Sequence, residues 1–139
     1  MKVLAVLMVV LALIIGVVPQ FTDCESHGLM LSLANGKQVS MKCHWTARGE
    51  IAVAAPLLFV GAMSGFSRRR ETKRNLAIMG IVLGIAAVLL PTVLVGVCAN
   101  PEMLCNSVMR PTLILLGSAV AVTSLVMLVS SFRTEEINA

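Results

Sequence analysis

Apolar residues fill four long stretches of this chain, and polar residues gather between them. Val3 to Val18 is apolar without a break. Ile51 to Phe66 is a second run, with Pro56 inside it. Leu76 to Ala99 is the third and longest, and Pro91 is expected to kink it. Pro111 to Phe132 is the fourth, with its proline suited to a first helical turn. Uncharged runs of this length read as membrane-spanning helices. The first two are short for a bilayer, which takes roughly 20 residues. Pro19 to Phe21 therefore extend the first helix, and the second starts near Thr46, whose hydroxyl can cap it. The first run follows Lys2 as a secretion signal would, but small residues are poorly placed for cleavage, so it reads as a helix that stays. The expected fold is an all-α integral membrane protein, one domain over 1–139, with helices at about 3–21, 46–66, 76–99 and 111–132. The tail from Arg133 is short and polar, and is expected to be disordered.

The segment 22–45 has a different rhythm. Leu29, Leu31 and Leu33 recur at every second position before the turn, and Val39, Met41 and Cys43 do so after it. Asn35-Gly36 between them is a strong hairpin signal, because a type I′ turn needs positive φ at both central residues. A two-residue turn pairs Ala34 with Lys37 and Ser32 with Val39. Continued outward, it brings His27 opposite His44 and Gly28 opposite Cys43.

Charge then gives the chain a direction. The net charge is +4, and five basic side chains (Arg68, Arg69, Arg70, Lys73 and Arg74) fall within Ser67 to Asn75. Basic residues concentrate in short cytoplasmic loops. With both termini cytoplasmic, seven basic residues lie inside and four outside. The same five side chains would contact anionic lipid headgroups, each worth roughly 1 kcal/mol. Charged residues make up 13% of the chain, against roughly 25% in soluble domains. Nucleic-acid binding is excluded as a reading, since neither a basic face nor interleaved aromatics are present.

That orientation puts all four cysteines, Cys24, Cys43, Cys98 and Cys105, outside. In an oxidising compartment they read as disulfides. Four cysteines allow three pairings. Cys24–Cys43 with Cys98–Cys105 is preferred, each bond closing one outer loop and the first stapling the hairpin.

The run Met41-Lys-Cys-His-Trp-Thr-Ala-Arg-Gly-Glu50 carries most of the remaining polar chemistry. Trp45 suits the membrane interface. Glu50 falls in the expected first helical turns, where the helix dipole favours an anion. Arg48 can pair with Glu50 or Glu102. Together His44, Arg48 and Glu50 would mark a polar recess at the outer mouth. An alternative use of this end is a soft metal or haem site on His27, His44 and Met41, since imidazole and thioether suit such ions. No C-x-x-C or H-x-x-x-H spacing supports it.

No enzyme is expected. The apolar runs 3–18, 51–66, 76–99 and 111–132, taken as the membrane interior, hold no Asp, Glu, Lys, Arg or His. No nucleophile elbow or phosphate loop occurs. The closest cysteine pair, Cys98 and Cys105, lacks redox-motif spacing. No cofactor is called for. Gly61 with Gly65, Gly80 with Gly84, and Gly117 with Ala121 have the spacing that lets helices approach closely, either within a bundle or against another membrane protein.

The Met41-Lys42-Cys43-His44-x-Thr46 segment, with Cys24, Glu50, Cys98 and Cys105, resembles a bacterial membrane family known as domain of unknown function 4418. The resemblance implies four helices with this segment ahead of the second. It also implies a non-enzymatic accessory subunit in the bacterial inner membrane, beside a larger partner such as an ABC-type permease of the macrolide-exporter kind.

Overall fold

The computed structural model describes residues 2–25 and 27–137, with the backbone alone for residues 134–136. Among these, four helices are long and apolar enough to cross a membrane: Lys2–Thr22, Lys42–Phe66, Arg70–Leu94 and Cys105–Arg133. Lipid offers no partner for a backbone amide, so such segments satisfy their own hydrogen bonds as helices. We call the α-helical parts α1 (Lys2–Thr22), α2 (Lys42–Phe66), α3 (Arg70–Leu89) and α4 (Arg110–Ile137). A π turn at Leu90–Leu94 extends α3, and a second at Cys105–Met109 leads into α4. α1 packs chiefly on α2, and α3 on α4. The core between them holds Met8, Ile15, Leu57, Leu113 and Val120.

The small-residue spacings are used within this bundle. A Cβ on Gly84 would lie 2.9 Å from Ala121 N and 3.0 Å from Gly117 O. A Cβ on Gly117 would lie 2.9 Å from Gly84 O. One on Gly80 would collide with Ser124 Oγ. The α3 and α4 backbones therefore touch where glycine removes the obstacle. Gly61 admits Val9 of α1 closely, a Cβ there lying 3.2 Å from Val9 N, whereas one on Gly65 would meet Ala5 Cβ at an ordinary 3.4 Å.

Several boundaries differ from expectation. α2 begins at Lys42, after Met41 as N-cap. Thr46 is no cap. Its hydroxyl donates to Lys42 O at 3.3 Å and to Gly96 O at 2.7 Å, which ties α2 to the end of the α3 segment. α3 begins at Arg70, so only Ser67 to Arg69 separate it from α2. Pro91 is accommodated by the π turn, with Val95 and Gly96 both donating to Leu90 O. The chain then leaves the helix before Ala99. α4 runs on to Ile137, so the polar tail continues as helix; residues 138–139 lie outside the described set.

The hairpin pairs β1 (Leu31–Ser32) with β2 (Gln38–Val39), but Leu31 faces Val39 and Ser32 faces Gln38. That is one residue from the expected register. Gly36 N–H donates to Leu33 O, and Leu33 N–H donates to Lys37 O. Gly36 has φ +77°, and no non-glycine among the described residues has positive φ. The loop thus has three residues, a type I-like turn closed by a left-handed glycine, and not the type I′ turn that needs a left-handed Asn35. The shift removes the expected His27–His44 and Gly28–Cys43 pairings.

Candidate metal centre

Four separate segments deliver the four cysteines to one point. Cys24 follows α1 in a turn fixed by Gly28 N–H to Glu25 O and Leu29 N–H to Cys24 O, both 2.9 Å. Cys43 is in the first turn of α2. Cys98 lies beyond the first π turn, and Cys105 opens the second. Their Sγ atoms all lie within 4.8 Å of one another. Cys24 stands 2.7 Å from Cys43, 3.2 Å from Cys105 and 3.9 Å from Cys98. Cys43 is 3.5 Å from Cys98. Cys24, Cys43 and Cys105 are buried and Cys98 is half-buried. All four are free in this structure, and none of these separations is a disulfide distance, so the expected staple is not seen. The reason is positional: α2 starts early enough to turn Cys43 into the bundle, where it meets three sulfurs and not one strand partner. Burial, then the neighbouring Cys43 and Cys105 thiols, push the Cys24 thiol up from its ordinary value.

His44 holds this arrangement without joining it. Its Nδ1 lies 2.8 Å from Glu25 Oε2 and 3.3 Å from Asp23 Oδ2. Ser40 Oγ donates to the same Glu25 oxygen at 3.1 Å. These contacts fasten α2 beside Cys43 to the turn that carries Cys24. Met41 Sδ is 3.9 Å from Cys98 Sγ, on the rim of the cluster. An open cavity of about 300 Å³ lies against Cys24 and Cys105 and is bordered by Asp23, His27, Glu102 and Met103. It gives the sulfurs an approach from outside. His27 stands at that mouth, exposed, and does not meet His44.

The expected polar recess of His44, Arg48 and Glu50 does not form. Arg48 and Trp45 are exposed, as an interfacial position requires. Glu50 is fully buried, and neither carboxylate oxygen has a hydrogen-bond partner. It therefore does not pair with Arg48. With α2 starting at Lys42, Glu50 lies two turns inside the helix and within a candidate span. This corrects the reading of spans without ionisable groups.

At the opposite end, Lys2, Ser64, Ser67, Arg68 and Lys73 line a cavity of about 510 Å³. Arg69 and Arg70 are exposed. The Arg74 guanidinium stacks 5.5 Å from the Phe132 ring centre, so part of the basic run is spent on packing α3 against α4.

Sequence inspection missed the four-sulfur cluster. Its one signal was that every cysteine falls at the same end of the chain's spans. No curated protein and no solved structure matches this chain. A family model described as "Domain of unknown function (DUF4418)" matches residues 3–130, and the chain, with four helices fit to cross a membrane and cysteines gathered at one end, belongs to that family.

Proposed function

We propose that the chain is a multi-pass membrane protein that binds one thiophilic metal ion of the zinc class in a closed site of Cys24, Cys43, Cys98 and Cys105. The convergence of four sulfurs within 4.8 Å carries this reading. Tetrahedral zinc holds thiolates at about 2.3 Å, which spaces the sulfurs by about 3.8 Å. The separations of 3.2, 3.5 and 3.9 Å fall near that value. Four sulfur ligands leave no position for water, so the site is structural and not catalytic. It would lock the ends of all four helices together, and His44 with Asp23 and Glu25 would orient two of its ligands. With the basic end cytoplasmic, the metal and the hairpin face outward. The protein then serves as a non-enzymatic accessory subunit of the inner membrane. Its hairpin offers the outer contact, and an ABC-type permease is the partner class suggested by the family resemblance.

A second reading has its own support. The 2.7 Å between Cys24 and Cys43 is shorter than tetrahedral spacing and favours a bond between them. Cys24–Cys43 and Cys98–Cys105 disulfides would then staple the cap. One preparation separates the two. The full chain is purified in mild detergent, assayed for metals, and alkylated before and after reduction. About one zinc per chain, with all thiols alkylatable after chelation, supports the metal centre. No metal, with alkylation only after reduction, supports the disulfides and sinks the metal reading.

A further inference from the structure

We infer that Glu50 is a proton-binding site within the membrane-spanning part of the bundle, reached from the cysteine end. This goes beyond the metal reading and does not depend on it. Glu50 is fully buried, and both carboxylate oxygens lack a partner among the described residues. An ionised carboxylate so placed is costly in a medium that neither solvates nor pairs it. The neutral acid removes that cost, so the ligand the site holds is a proton.

The surroundings contain nothing else to neutralise it. α1 from residue 3 to 22, α3 from residue 75 through the π turn, and α4 from residue 111 to 132 contain no Asp, Glu, His, Lys or Arg. The protein has no tyrosine. On α2 itself, Arg48 is exposed, and Glu50 has no hydrogen bond to it. Toward this end lie the thiols of Cys24, Cys43, Cys98 and Cys105, with Asp23, Glu25 and His44 beside them and His27, Lys37, Lys42, Glu102 and Arg110 in the same end segments.

The path to Glu50 is also marked. Cys43 and Glu50 are seven residues apart, hence on one face of α2 and about 10 Å apart along its axis. Thr46 and Ala47 lie between them, both buried. Thr46 donates its hydroxyl to Gly96 O, and Gln20 Nε2 donates to Ala47 O at 3.0 Å. Polar groups from α1, α2 and the end of the α3 segment thus line the way from the cysteines to the carboxyl. Beside it, Gly49 admits Leu90, where the π turn begins.

The test uses a membrane-soluble carbodiimide on the full-length wild-type protein in mild detergent. A neutral carboxylic acid gives its proton to a carbodiimide nitrogen, and its oxygen adds to the central carbon. The O-acylisourea so formed rearranges by an O-to-N acyl shift to a stable N-acylurea, with no leaving group. Peptide mass mapping should find one added carbodiimide on Glu50, absent in E50Q. The labelling rate should fall at least tenfold as pH is raised to strongly alkaline values. Exposed Glu71 and Glu102 serve as internal controls, and a water-soluble carbodiimide with an added amine should modify them and spare Glu50. Absence of the adduct on folded wild type would overturn the proposal. So would equal modification of Glu50 by the water-soluble reagent, which would mean an open, hydrated carboxyl. Protection by sodium ions at fixed pH would also overturn it, because the site would then be a metal-cation site. Thiol content and metal content do not enter this readout.

Discussion

Replacing Gly84 by alanine tests whether backbone contact between α3 and α4 sets the geometry of this bundle. The new Cβ would meet Ala121 N at 2.9 Å and Gly117 O at 3.0 Å. Both are backbone atoms, so no side-chain rotation relieves them. Ordinary contact starts near 3.4 Å, which leaves the methyl about 0.5 Å short of room at the tighter contact. The helices must part there and loosen their neighbours, at about 1–3 kcal/mol for overpacking. Against this stands a gain of about 1 kcal/mol in helix propensity for Gly→Ala. The balance is a loss of up to about 2 kcal/mol. Gly65→Ala is the control, since its Cβ would meet Ala5 Cβ at an unstrained 3.4 Å on an exposed face. It should be neutral or slightly stabilising. Unfolding in mixed micelles by titration with dodecyl sulfate, followed by circular dichroism and by emission of the single tryptophan, reads both. Gly84→Ala should unfold at a lower detergent fraction than wild type. An unchanged or higher midpoint, equal to that of Gly65→Ala, would refute the claim that the backbones touch. The double variant with Gly117→Ala should cost less than the sum of the two, because one separation of the helices relieves both clashes.

Other perturbations probe the two ends. His44→Ala should weaken zinc binding roughly tenfold or more without changing its stoichiometry, since His44 orients ligands and is not one; competition with a chromogenic chelator measures this. Gly36→Ala forces a side chain to φ +77° in the hairpin loop and should cost about 1–2 kcal/mol locally, seen as faster amide exchange at Leu33 and at position 36. Arg68→Ala with Lys73→Ala should reduce retention of anionic phospholipid in the purified protein, each charge contributing roughly 1 kcal/mol. Neutral lipid should be retained as before, and lipid mass spectrometry compares the two.

Much of this architecture can be read along the chain. The four apolar runs became four helices, because lipid accepts only backbone that bonds to itself. Asn35-Gly36 marked the hairpin correctly, yet misled about register. A left-handed glycine alone suffices for a three-residue loop, and the dipeptide does not reveal which loop forms. Thr46 looked like a cap and turned out to be a brace to Gly96. That error hid Glu50, since the depth of every later α2 residue depends on where the helix begins.

The sequence by itself determined the number of spans, the basic end and the cysteine end. These depend on local composition, and solvent selects them segment by segment. That the four cysteines meet at one point is visible only in the packed bundle. The tertiary structure also decided that Glu50 is sealed inside the bundle, and that the glycines serve contacts within this chain. Cys24 and Cys105 are separated by 81 positions and stand 3.2 Å apart. Nothing local encodes that distance. It follows from how α1 rests on α2 and α3 on α4, and from the turns that end them, so it exists only once the helices have packed.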